Sequence, residues 1–150
     1  MITVVQRVRR ASVHVDGAPV STIGPGALLL LGVEAGDTDA DADATAGKVA
    51  RLRFFPGSTP MDRTLADVGG ACLVVSQFTL AGALAKGNRP SFTTAAAPAE
   101  AERLYLRAVD ALRELGLTVE TGRFGAAMQV ELLNDGPVTF VLRVRGGRVQ

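Results

Sequence analysis

Ser76-Gln77-Phe78-Thr79-Leu80 stands where an apolar run, Ala71 to Phe78, turns polar. A strand ending there presents hydroxyls, an amide and main-chain N–H groups to a pocket. Donors fixed in that way stabilise a developing oxyanion. Serine and threonine also simply satisfy a strand end, and the residues alone leave both roles open. Asn134-Asp135-Gly136-Pro137-Val138-Thr139 is the second cluster. Gly136 brings backbone freedom, while Pro137 removes a donor and permits a cis peptide at modest cost. Both carbonyls could then point outward as acceptors. An ordinary hairpin turn accounts for the same residues.

Other chemistry lacks its parts. His14 is the sole imidazole and lies mid-strand on a polar face. A Ser-His-Asp or Cys-His site needs an imidazole beside the nucleophile, so His14 would serve only if the fold delivered it there. Cys72 sits inside an apolar run, where a free cysteine is buried and inert. Asp37, Asp39, Asp41 and Asp43 alternate like a calcium loop but lack its central glycine and closing glutamate. They read as solvation of a helix N-terminus. No zinc-ligand spacing and no phosphate-cradling glycine motif occurs. We therefore expect no metal and no NAD- or ATP-type cofactor.

The elements that must position these clusters follow from periodicity. Ile2, Val4 and Val8 suggest one strand, and Ala11, Val13 and Val15 alternate with polar residues as a half-buried second. Asp16-Gly17 turns into Val20 to Ile23, and Gly24-Pro25-Gly26 is another turn. Ala27 to Val33 reads as a central strand buried on both faces. A helix is expected from Thr38 to about Phe54, acidic at its start and basic toward its end, stopped by Pro56-Gly57. Met61 to Leu65 is irregular or a short strand, and Ala81 to Ala97 is a long loop. A second helix runs from about Pro98 to Leu115, with Ala101, Leu104, Tyr105, Ala108, Leu112 and Leu115 as its apolar stripe. Strands return at Leu117 to Glu120, Met128 to Leu133 and Val138 to Val144, the last two joined by the Asn134–Pro137 hairpin signal. The expected class is α+β: a mainly antiparallel sheet or barrel with two helices, in one domain over residues 1–150.

Bulk properties narrow the function. With 47% hydrophobic and 21% charged residues, the chain can bury a core. Its longest apolar run is too short to cross a bilayer. MITVVQRVRR places its basic residues after the apolar stretch, unlike a signal peptide. One cysteine excludes an intramolecular disulfide. We expect a cytoplasmic protein. A formal charge of +1 is too balanced for gripping long duplexes, DNA included, but allows contact with a short nucleic-acid end. Arg7, Arg9 and Arg10 near one terminus and Arg143, Arg145 and Arg148 near the other would form a basic patch if the terminal strands lie together. Solubilised strand ends are the alternative.

The chain resembles the D-aminoacyl-tRNA deacylase family along nearly its whole length. The resemblance runs through VVQRV (Val4 to Val8), LLLLGVEAGDT (Leu28 to Thr38), LRFF (Leu52 to Phe55), VVSQFTL (Val74 to Leu80), KGNRPSF (Lys86 to Phe92), GRFGAAMQV (Gly122 to Val130) and NDGPVTF (Asn134 to Phe140). It departs at Pro60-Met61-Asp62-Arg63-Thr64, where the family usually carries Lys-Met-Asn before a serine, and no role is carried over there. The resemblance implies a homodimer in which Gly136-Pro137 adopts a cis peptide and enters the neighbouring subunit's pocket. Its carbonyls would face the substrate α-amine and crowd out L-amino acids, while D-aminoacyl-tRNA, and glycine mischarged on alanine tRNA, would be cleaved. Ser76 to Leu80 would line the ester and hold the terminal adenosine: Phe78 through its N–H, Gln77 by positioning ester or water, Thr79 through its hydroxyl. The ribose 2′-hydroxyl would assist the water; a nucleophilic Thr79 ranks lower, for want of an activating neighbour. Phe124 and Met128 become pocket wall, and Arg7 a brace for the partner's loop. Two other readings stay open: an esterase or amidase on small D-amino-acid derivatives, and a non-catalytic RNA-binding module. Against the latter stands the 5% aromatic content.

Overall fold

The computed structural model describes residues 1–85 and 87–150; Lys86, which opens KGNRPSF, lies outside the described residues. Seven strands form one curled sheet: β1 Ile2–Val15, β2 Ala18–Ile23, β3 Gly26–Gly32, β4 Ala71–Ser76, β5 Thr118–Thr121, β6 Gln129–Arg145 and β7 Arg148–Val149. The order is β5-β4-β3-β1-β6-β7, with β2 also paired to β1. Helix α1 spans Asp39–Arg51 and α2 Pro98–Glu114. The α+β expectation is borne out. β1 pairs antiparallel with β2, β3 and β6, as β6 does with β7. The β3–β4 and β4–β5 pairs are parallel. These are the two connections that run through α1 and α2, and parallel neighbours require such crossovers.

Alternation along the strands sorts the core. Val5, Leu29, Leu31 and Val74 face the helices and meet Val49, Leu104, Tyr105 and Val109. Val8, Val13, Leu28, Leu73 and Val75 fill the other face. α1 packs on α2, and two arginines of α2 reach its acidic start: Arg103–Asp39 at 2.5 Å and Arg107–Asp43 at 2.7 Å. The aspartate series is thereby dispersed, for Asp37 takes the N-terminal ammonium at 2.7 Å. Asp41 closes a capping box with Thr38 and also accepts the Gly147 N–H at 2.9 Å.

Four sequence expectations change. β1 is one strand, not two. α1 ends at Arg51 rather than Phe54, because Phe54 and Phe55 leave it to bond the Arg63 carbonyl and bury Phe54. The two arginine groups do not join: antiparallel register sets Arg143 opposite Ile2 but Arg10 opposite Leu133. Most consequentially, Asn134–Pro137 is no hairpin. Both arms belong to β6 and pair with β1, Asn134 opposite Val8 and Thr139 opposite Gln6, so residues 135–138 bulge out opposite Arg7. A hairpin needs its arms to pair with each other; here β1 takes both.

Candidate active site

The site grows from the end of β4. The Gln77 N–H makes the last rung, to the Leu31 carbonyl at 2.8 Å. The chain then turns into a short 3-10 helix, Phe78–Ala81. Gly32 permits that turn, since a Cβ there would lie 2.8 Å from the Gln77 carbonyl and 3.0 Å from Leu80 Cβ. The Phe78 N–H stands at the head of the turn, where a helix offers no internal acceptor, and its ring is 58% exposed. Gln77 Nε2 donates to Thr79 Oγ1 at 2.5 Å, so the amide and hydroxyl act as one unit.

Two cavities flank this strand end. The first, about 370 Å³, is lined by Leu31, Val33, Ser76, Gln77 and Phe78, and by the aromatic rings of Phe92, Tyr105 and Phe124. Phe78 meets Phe92 edge-on at 5.0 Å between centroids, and Tyr105 lies 5.9 Å from Phe124. The second, about 220 Å³, opens on the face away from the helices, between Val75, Ser76, Gln77, Phe78, Gly125, Ala126, Met128 and Val130. Among the described residues, neither is lined by an acidic, basic or histidine side chain, and Tyr105 is the one titratable group in the two linings. Burial pushes its phenol up to about 12, against the pull of Arg113 and Thr121, and its hydroxyl donates to the Val74 carbonyl at 2.8 Å. Tyr105 is therefore a neutral wall, not a base. Cys72 is fully buried, with burial pushing its thiol up to about 12.

The structure thus brings Ser76, Gln77, Phe78, Phe124 and Met128 together and hangs Thr79 beside them, outside both linings. It holds Arg7, Gly136 and Pro137 elsewhere. Gly136-Pro137 is cis, with Gly136 at φ 137°. Asn134 ties the bulge by accepting the Val138 N–H at 2.9 Å and donating to Thr139 at 2.8 Å. Arg7, nearly buried, donates to the Phe54 carbonyl at 2.7 Å and the Asp135 carbonyl at 3.0 Å, so it braces the bulge of its own chain and not, as expected, the partner's loop. Between β4 and β6 lie β3 and β1, so within one chain the two clusters stand about 14 Å apart across the sheet. Tyr105 and Phe92 were missed as cavity wall. Tyr105 looked like one more member of the α2 stripe, and the ring among alanines (Ala97, Ala101, Ala108) was the available signal.

Main-chain donor, amide and hydroxyl meet at one strand end of this α+β protein, beside an aromatic cavity with no acid or base side chain among the described residues, an arrangement chemically able to hold an ester and stabilise an oxyanion. The family model described as D-Tyr-tRNA(Tyr) deacylase matches residues 4–143, and the chain belongs to that family. A D-aminoacyl-tRNA deacylase of Ruegeria pomeroyi is 56% identical over 140 residues, 93% of this chain and 97% of that one. One of Heliobacterium modesticaldum is 53% identical over 148 residues, 98% and 99% of the two chains. Among solved structures, the c-Myc DNA Unwinding Element Binding Protein superposes with a TM-score of 0.91 at 39% identity, over 97% of this chain and all of that one. A probable eukaryotic D-amino acid tRNA deacylase shares the fold at TM-score 0.78 and 18% identity, over 93% and 97%.

Proposed function

We propose that this chain hydrolyses the ester joining a D-amino acid to tRNA, and that it does so as a homodimer in the cytoplasm. Family membership at more than half identity supports the activity. The observation carrying the mechanism is that Ser76, Gln77 and Phe78 border both cavities while, among the described residues, no acid, base or histidine side chain does. The terminal adenosine enters the aromatic cavity between Phe78, Phe92, Tyr105 and Phe124, and the aminoacyl group lies toward Met128. The Phe78 N–H meets the developing oxyanion, and the Gln77–Thr79 pair orients ester and water. The ribose 2′-hydroxyl takes the part that a protein base would otherwise play.

The second copy supplies the stereochemical filter. Gly136 and Pro137 cannot reach their own Ser76–Thr79 across the two intervening strands, so the reading requires a partner's bulge to do so. β6 suits that contact: much of its outer edge is unpaired, and Leu133, Phe140 and Val141 are exposed along it. Carbonyls of the bulge then accept from the substrate α-amine, and Arg7 holds the bulge in place. An L side chain collides there; glycine has none, so glycine mischarged on alanine tRNA is also a substrate.

Deacylation of D-tyrosyl-tRNA, L-tyrosyl-tRNA and glycyl-tRNA by purified protein, chelator present, tests this. Cleavage of the first and third only is expected, and equal cleavage of the L ester would refute the filter. A Thr79→Ala enzyme keeping most of its rate excludes a nucleophilic threonine; a trapped acyl-threonine would defeat the substrate-assisted account. Competition by an RNA ending in CCA, but not by duplex DNA, separates this activity from a tRNA-independent esterase.

A further inference from the structure

A third cavity, about 410 Å³, is lined by Glu34, Ala35, Thr93, Thr94, Arg143, Val144, Arg145 and Gln150. It lies at the same end of the sheet as Gln77, because the row next to Gln77 runs Gly32, Ile2, Arg143. Only a thin ridge separates it from the aromatic cavity. The ridge is the Glu34–Ala95 bridge, flanked by the bonds Ala35 N–H to Thr94 carbonyl at 2.9 Å and Ala96 N–H to Val33 carbonyl at 3.1 Å. Val33, Phe92, Ala95 and Ala96 face one cavity; Glu34, Ala35, Thr93 and Thr94 face the other.

The charges of this third cavity are unevenly committed. Glu34 and Asp37 both hold the N-terminal ammonium, at 3.2 and 2.7 Å, and Asp37 also meets Arg145 at 3.5 Å. Arg145 further reaches the Ala35 carbonyl at 3.4 Å. Arg143 in the lining, and Arg148 on β7 outside it, have no carboxylate partner among the described residues, and both are exposed. An arginine with an open guanidinium fork, beside the threonine hydroxyls of the cavity wall, matches the oxygens of a phosphodiester.

We propose that this cleft binds backbone phosphate of the single-stranded RNA 3′ end, with Arg143 as its principal contact. Resting on the deacylase reading, it places the terminal nucleoside in the aromatic cavity and leads the preceding strand over the Glu34–Ala95 ridge into the basic cleft. Arg143 then contributes to recognising the RNA and nothing to cleaving the ester.

The test compares D-tyrosyl-tRNA with a D-tyrosyl ester of adenosine, which carries no phosphate. For Arg143→Ala, kcat/KM on the tRNA should fall ~5-fold, and the slope of log(kcat/KM) against log salt should flatten by about 0.7 for the lost single-strand phosphate contact. The same enzyme on the adenosine ester should match wild type, and Arg143→Lys should recover most of the tRNA activity. Arg113→Ala, on α2 and paired with Asp110, should leave the salt slope unchanged. Equal losses on both substrates, or an unaltered salt slope with tRNA, would overturn the proposal. A wild-type enzyme inactive on both esters would instead remove the deacylase reading, and this inference with it.

Discussion

Arg7→Met deletes a guanidinium while keeping most of its aliphatic stem. The side chain is only 10% exposed. It donates to the buried Phe54 carbonyl at 2.7 Å and to the Asp135 carbonyl at 3.0 Å, with the Asp135 carboxylate at 3.4 Å. Hydrogen bonds from a charged group are worth about 1.5–3 kcal/mol each. Relief of the arginine's own desolvation returns part of this, so a net loss of about 3 kcal/mol is expected. For a chain of this length that lowers Tm by about 6–12 °C. The functional effect is separate. At 25 °C the variant stays folded, but the 135–138 bulge loses its brace. Misplacing a positioning element by an ångström costs up to about 100-fold, so kcat/KM on D-tyrosyl-tRNA should fall by at least ~10-fold and D-over-L preference should shrink. Thermal melts and parallel deacylation of the two esters read both effects. A variant that melted within about 1 °C of wild type, where about 3 kcal/mol predicts several times that, would refute the energetics. One that melted as expected but kept its stereoselectivity would refute the brace.

Asp41 provides a pH signature. Burial opposes its ionisation, but hydrogen bonds from the Gly147 N–H and from the Thr38 N–H and hydroxyl, with the N-terminal ammonium nearby, outweigh it and hold the carboxyl below the usual range. A carboxyl depressed on folding stabilises above its unfolded value of about 3.9 and loses that contribution as pH falls through the folded value. Asp41→Asn should thus cost about 2 kcal/mol at pH 7 and progressively less below about pH 4; a Tm deficit independent of pH would contradict this. Cys72, fully buried with its thiol pushed up to about 12, should resist a thiol reagent at pH 8 until denaturant is added, and rapid labelling of the native protein would disprove that burial. Val141 is 63% exposed on β6. Val141→Asp should leave the fold intact but take the sedimenting species from twice to once the 15.6 kDa chain mass, with loss of deacylation; an active monomer would remove the need for a partner's bulge.

Much of this molecule is written locally. Alternation in Ala11–Val15 and the unbroken apolar run of Ala27–Val33 specify a half-buried and a fully buried strand, since side-chain period and burial are properties of the segment itself. The α2 stripe and the acidic-to-basic polarity of α1 are equally local, and both helices lie within a few residues of where their sequences put them. Ser76–Thr79 was legible as a strand end because the apolar run stops there. The Asn134–Pro137 segment was not, although it carries strong turn chemistry. Whether its two arms pair with each other or with a third strand is a long-range choice, and β1, long enough to hold both, decided it. Arg7 acquired its role in the same way, because only the folded sheet sets it opposite the bulge. Tyr105 and Phe92 show the same limit at the site. Periodicity says which face of a helix is apolar, but only the packing of Phe92 across from Tyr105 and Phe124 left a cavity there instead of solid core. Residue type and spacing determined the elements and the chemistry available at their ends. Which ends meet, and where space remains between them, came from contacts between segments far apart in the chain, which no local pattern encodes.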